Sequence, residues 1–188
     1  MNYPKFELGP LNVGCDDIKP VLQCLIHTIL FHRTLGVVHP REITSDIFQN
    51  ISYMTCSSDN IYKKIEEKIE YVIDNQNNDS LYSNKSGKII VTFYEAKTNK
   101  QWFGLNGVTK EYWERWDINL NIKSKKEIDL IKLEKNVKEN IIKIIEKTNS
   151  YFQHLPKLPK QDELKSLISY PFEINIPNKK DLTYSDKF

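Results

Sequence analysis

The stretch Trp113-Glu114-Arg115-Trp116-Asp117-Ile118-Asn119-Leu120-Asn121-Ile122 decides how the chain folds. Trp116, Ile118, Leu120 and Ile122 alternate strictly with Asp117, Asn119 and Asn121. Successive side chains of a strand point to opposite faces, so the alternation predicts a strand. Trp113 stands at its start and reads as structural. Upstream, Ile89, Val91, Phe93 and Ala96 mark a second strand. The loop Lys97 to Lys110 joins the two into an antiparallel hairpin. Inside that otherwise polar loop sit Trp102 and Phe103, followed by Gly104 and Gly107. Two readings of this aromatic pair stand side by side: it folds back onto the core, or it is an exposed anchor for a partner, since aromatic side chains concentrate binding energy at interfaces.

Helices flank the hairpin on both sides. Downstream, Lys125 to about Gln153 predicts a long helix. Ile128, Ile131, Val137, Ile141, Ile144, Ile145, Thr148 and Phe152 are taken as one side and Lys and Glu as the other. The apolar spacing holds no strict heptad, so a core-facing helix is a better reading than a coiled coil. Pro156 ends it, and Leu155-Pro156-Lys157-Leu158-Pro159 is an extended crossing. A helical turn is expected at Asp162 to Ile168. Tyr170, Phe172, Ile174 and Ile176 then alternate as a last strand, stopped by Pro177. Upstream, Ile18, Val21, Leu22, Leu25, Ile26, Ile29 and Leu30 recur at helical spacing, with Asp16 and Asp17 as N-caps and Gly36 as the stop. So many apolar positions predict a mostly buried helix. Ile61, Ile65, Ile69 and Val72 mark another helix, ending near Asp74 and capped by Ser57, Ser58 or Asp59. Ile51, Tyr53 and Thr55 alternate as a short strand. Residues 1–14 read as a strand or arm anchored by Phe6, Leu8 and Val13, residues 75–87 as a mobile loop, and residues 177–188 as a polar tail. The whole, residues 1–188, reads as a single α+β domain without repeats or a linker.

Bulk properties exclude several classes. The 188 residues carry 27 basic and 25 acidic side chains, a net charge of +2, which argues against a dedicated nucleic-acid binder. Only three of the basic residues are arginines, Arg33, Arg41 and Arg115, and Ala occurs once, at Ala96. The Lys- and Asn-rich composition reads as codon bias, so Lys and Asn runs carry little functional signal. No stretch approaches the roughly 18 consecutive apolar residues of a membrane span. The N-terminus lacks the pattern of a secretory signal. Cys15, Cys24 and Cys56 are an odd number without close pairing, which points to a reducing compartment, cytosol or nucleus.

No catalytic constellation stands out. The six glycines are scattered and form no phosphate-binding loop. His27 and His32 are five apart on a helix, unlike metal ligands four apart, and His27 reads as a hydrogen-bonded histidine in or beside the core. An enzyme would rest only on His27, His32 and His39 lying near one another in sequence. No metal site and no cofactor are expected.

Three segments together resemble a known family. Leu25-Ile26-His27-Thr28-Ile29-Leu30-Phe31-His32-Arg33, the stretch Val91 to Ile122 with its Trp113-Glu114-Arg115-Trp116, and Asn140 to Pro159 resemble, in order and spacing, the autophagy-related protein 101 family. The likeness spans roughly Asp16 to Ile176. It implies a HORMA fold, with three helices packed on a central antiparallel sheet. It also implies a non-enzymatic adaptor that pairs with and stabilises the HORMA domain of autophagy-related protein 13. That pair supports the autophagy-initiation kinase complex in the cytoplasm and at the phagophore assembly site. The family's exposed WF finger, which recruits downstream factors, corresponds to Trp102 and Phe103. Animal members carry a proline between the two aromatics. Here they are adjacent, which turns the rings in different directions. Only about a dozen polar residues follow Ile176, so a fixed, open-like state is expected rather than a long C-terminal segment closing over a peptide. The alternative within the same fold is a peptide-capturing HORMA adaptor of a checkpoint or DNA-repair pathway.

Overall fold

The alternating stretch becomes the longest strand of the sheet. The computed structural model describes residues 3–34, 39–56, 59–77, 85–100, 106–157 and 171–177. Their elements run β1 (Lys5–Val13), α1 (Ile18–His32), β2 (Pro40–Thr44), β3 (Ser52–Cys56), α2 (Asp59–Asn77), β4 (Lys85–Lys100), β5 (Asn106–Ile122), α3 (Leu130–Ser150) and β6 (Phe172–Asn175). Single 3-10 turns, Cys15–Asp17 and Lys125–Glu127, lead into α1 and towards α3. The main sheet has the order β1-β5-β4-β6, and β2 with β3 forms a small second sheet. Three helices and these two sheets are described, an α+β arrangement that fits a single HORMA-like domain. The main sheet is mixed: β4 pairs antiparallel with β5 and β6, but β1 runs parallel to β5.

Alternation explains the core. Phe6, Leu8, Leu11 and Val13 of β1, Ile89, Val91 and Phe93 of β4, Trp116, Ile118, Leu120 and Ile122 of β5, and Phe172 and Ile174 of β6 are all buried on one face. Against them lies α1, which buries every residue from Val21 to Leu30. It packs on β3, α2 and α3, and α3 also packs on β1. A helix surrounded in this way has no solvated stripe, which is why its apolar pattern wraps most of its circumference. Within β1 the register slips between Leu8 and Leu11. Gly9 there has φ +90°, and a Cβ would meet the Asn119 carbonyl oxygen at 2.4 Å, so only glycine fits. Its N–H donates to Asn140 Oδ1 at 2.9 Å, tying the strand to α3.

Several expectations shift by a turn or a strand end. The helix expected to reach Leu35 ends at His32, and Gly36 lies outside the described residues. The loop expected at 75–87 is shorter, because α2 runs to Asn77 and β4 begins at Lys85. The loop expected from Lys97 to Lys110 shrinks too, since polar residues on both sides continue the hairpin to Lys100↔Asn106. The helix expected from Lys125 starts at Leu130, where Asp129 Oδ1 caps the Lys132 N–H at 3.1 Å. Its buried stripe is Leu133, Val137, Ile144 and Thr148. Ile131, expected on that side, is 84% exposed, and Ile145 and Phe152 are exposed as well. Residues 131 and 133 are about 200° apart around a helix, so they cannot share a face. The expected turn at 162–168 and the tail from 178 lie outside the described residues.

One polar node joins the three main layers. Arg33, just past α1, is 2% exposed, and Glu114 of β5 is fully buried. Arg33 Nε donates to both carboxylate oxygens at 2.8 and 3.0 Å, and Nη2 donates to Oε2 at 2.7 Å. The remaining guanidinium donors reach the carbonyls of Thr148 and Tyr151 at the end of α3, at 3.1 and 3.2 Å. Glu114 also accepts from Trp116 Nε1 at 2.6 Å and meets His154 Nε2 at 2.7 Å. Burial alone would raise the Glu114 carboxyl, but hydrogen bonds from His154, Arg33 and Trp116 outweigh it and hold the group below the ordinary carboxylate value of 4.5.

Two outcomes follow for this node. Arg33→Met strands a buried carboxylate and should cost about 3–5 kcal/mol, whereas adding Glu114→Gln to it recovers part of that loss; urea unfolding of both variants measures the difference. A carboxyl held low in the native state contributes stability that is present above its ordinary value of 4.5 and is lost as pH falls through its native value. Acid unfolding curves should therefore flatten below about pH 4.5 in Glu114→Gln.

Candidate partner-binding site

The three histidines that an enzyme would need have different surroundings. His27 is 3% exposed and stacks between Tyr53 and Tyr62, with ring centroids at 5.6 and 5.4 Å. The ring lies in the core, as expected, and its Nε2 has no hydrogen-bond partner among the described residues. His32 packs edge-on against Phe31 at 5.8 Å, and His39 is exposed. Among the described residues no group of His, Cys, Asp or Glu is arranged to hold a metal ion. Nor is any described helix long and apolar enough to cross a membrane. A small hollow of about 250 Å³ is lined by Gly14–Asp17 and Lys123–Lys125, beside the exposed Lys125–Asp16 ion pair at 2.9 Å.

The hairpin carries the candidate site outward. β1 pairs with β5 only from Arg115 onward, and β6 pairs with β4 only over Ile90–Phe93. Beyond that, Tyr94–Lys100 and Asn106–Tyr112 pair only with each other among the described residues. Seven residue pairs make a two-stranded arm of roughly 20 Å at about 3.3 Å per residue. At its base the register passes from Phe93↔Glu114 to Tyr94↔Tyr112, so Trp113 is the extra residue of a β-bulge. A bulge bends its strand and sharpens the twist, which re-aims the arm relative to the sheet. It also lets Trp113 and Glu114 both be buried, Trp113 against Phe93 and His154 at 5.2 and 5.9 Å. Trp102 and Phe103, the expected finger, belong to the connection 101–105 that joins the two strands of the arm, and lie outside the described residues.

The second surface is α3. Ile131, Ile142 and Ile145 are 84%, 54% and 36% exposed. At 100° per residue they fall on one stripe beside the buried one, about 21 Å from end to end. Lys138 falls on the same line between Ile131 and Ile142, and its ammonium is drawn to Glu134 at the edge of the stripe, at 2.8 Å. An exposed apolar stripe with a polar border is the composition of an interaction surface. The sequence reading placed Ile131 and Ile145 on the core-facing side of this helix. It did not single out the Arg33–Glu114 pair. The available signal was partial: Arg33 is the one Arg, Lys, Asp or Glu in Leu25–Arg33, but Trp113–Trp116 holds both Glu114 and Arg115, and nothing local says which of the two is buried.

Burial lowers the His27 imidazole from 6.5 to about 4, with nearby Glu66 opposing. Below pH 6.5 the unfolded chain takes up a proton that the native site refuses, so stability falls as pH drops from 6.5 to about 4. His27→Phe keeps the stack and should remove much of that slope, read from urea midpoints at about pH 7 and about pH 5.

Comparison with known proteins gives the relationship. The family model described as autophagy-related protein 101 matches residues 10–162. A relative of that name from Arabidopsis thaliana is 33% identical over 98% of this chain and 92% of its own length. Others from Xenopus laevis and Homo sapiens are 25% and 24% identical, each over 86% of this chain and 79% of their own length. The two buried partners of the node, Arg33 and Glu114, and the whole arm fall within the matched span, and the chain belongs to the autophagy-related protein 101 family.

Proposed function

We propose that this chain is a non-enzymatic adaptor of autophagy initiation. It pairs with the HORMA domain of autophagy-related protein 13, stabilises it within the initiation kinase complex, and offers Trp102 and Phe103 to downstream factors. It works in the cytoplasm and at the phagophore assembly site. The observation that carries the reading is the hairpin arm, which has no strand neighbours beyond Phe93 and Arg115 among the described residues. An arm of this kind adds nothing to the core, and its two strands run towards the only adjacent Trp-Phe pair in the chain. Family membership supports the autophagy role, and the exposed isoleucine stripe of α3 supports pairing with a second protein. A stable pair of this kind buries about 1,200–2,000 Å² in total, and one helix stripe with its flanks supplies part of each side.

Ile131→Glu with Ile142→Glu places two charges in the apolar stripe while leaving Leu133, Val137 and Ile144 in the core. Binding of the partner HORMA domain, measured by titration calorimetry, should weaken by at least about tenfold with the circular dichroism unchanged. Unaltered affinity would remove α3 from the interface. Trp102→Ala with Phe103→Ala should leave both folding and pairing intact and lower autophagic flux. Normal flux with this double variant would end the finger assignment.

A further inference from the structure

The arm needs something to hold its direction. A two-stranded ribbon without a core is marginal by itself and free to swing about its base. Three hydrogen bonds grip that base from Pro171, just before β6, and from Glu173 within it, and the Tyr3 ring also meets Tyr112 at 6.5 Å. The Tyr94 N–H donates to the Pro171 carbonyl at 3.1 Å. Tyr112 Oη donates to Glu173 Oε2 at 3.0 Å. Lys110 Nζ bonds the other oxygen, Glu173 Oε1. Glu173 lies at the centre of β6, and its two carboxylate oxygens are divided between two side chains that stand on the arm, one on each side of Glu111. Lys110 also lies over the Tyr94 ring at 4.9 Å, and Tyr94 meets Tyr112 edge-on at 5.8 Å, which links both arm strands to the same carboxylate. The Lys110 hydrogen bond, followed by that of Tyr112, keeps Glu173 in its ionised form against partial burial.

We infer that Glu173 is the positioning residue of the hairpin arm, fixing the direction in which Tyr94–Lys100 and Asn106–Tyr112 leave the sheet. The inference rests on the proposed finger role for its biological meaning, but not for its physics. It has a structural corollary. β6 holds to the sheet through four residue pairs with β4, Ile90↔Asn175 to Phe93↔Phe172. Seating of β6 and aiming of the arm are therefore one event, because the strand that docks on β4 also carries the carboxylate that clasps the arm. The bulge at Trp113 supplies the bend, and Glu173 selects one setting of it.

Pulsed electron-spin distance measurement tests this on the full chain. Labels go on Val108→Cys in the arm and Lys132→Cys on α3, both exposed, in a Cys15→Ser background. Glu173→Ala should broaden the distance distribution roughly twofold, as expected when a tethered element is released into faster sampling. Glu173→Gln, which keeps an acceptor for Tyr112 and loses the charge for Lys110, should fall between the two. Glu173→Lys combined with Lys110→Glu should narrow the distribution again, a rescue that a general loss of stability does not give. A control pair on the body, Lys132→Cys with Lys88→Cys, should stay unchanged in every variant. An arm distribution that is the same in Glu173→Ala as in the parent would overturn the inference. Autophagic flux in the Trp102→Ala, Phe103→Ala chain reports separately on the finger reading: normal flux there removes the finger role while a broadened arm in Glu173→Ala still upholds the clasp.

Discussion

The buried ion pair between Arg33 and Glu114 is the constraint on which the rest of this structure depends. Taking both charges out of water is costly, and mutual attraction alone does not repay it unless the remaining donors and acceptors are also met. Here they are met from every layer. The carboxylate takes the guanidinium fork, the Trp116 indole and His154, while the guanidinium also reaches two carbonyls at the end of α3. The end of α1, the middle of β5 and the end of α3 can form these bonds only in one mutual arrangement. An apolar contact tolerates sliding by an ångström; a five-donor fork does not. The pair thus acts as a register pin for the layers more than as a source of net stability.

How much of this was legible in the sequence depends on the range of the interaction. Period-two alternation from Trp116 to Ile122 is local, and it named the central strand correctly. The crowded apolar pattern of Ile18 to Leu30 likewise marked a helix buried on most sides. The parallel pairing of β1 with β5 joins residues more than a hundred positions apart and leaves no local trace. In α3 the difficulty was composition. Isoleucine occurs on several sides of that helix, so a list of apolar residues fits more than one stripe. Only the packing of Leu133, Val137, Ile144 and Thr148 on α1 and β1 decides which stripe is buried. The distal hairpin was hidden for the opposite reason: with no core beneath it, Glu95 to Lys100 has no apolar face to alternate.

The molecule divides into a body held by a buried apolar core and an arm held by polar contacts at its base. These respond differently to their surroundings. The core weakens with loss of apolar burial and with acid, through Glu114 and His27. The clasp of Glu173 on Lys110 and Tyr112 is partly exposed and is screened by salt. Motion in the arm is therefore separable from the stability of the fold.

The kink in β1 has a further bearing. An edge strand with unpaired donors is a template on which another chain can grow. At the middle of this edge, Pro10 has no N–H and the Gly9 N–H is already held by Asn140. Neither Gly9 nor Pro10 thus has a free N–H to offer an added strand. A second strand approaching there finds an interruption where continuous hydrogen bonding has to begin. Among the described residues, growth of the sheet on that flank is opposed by Pro10 together with the Asn140 side chain of α3 rather than by a further strand.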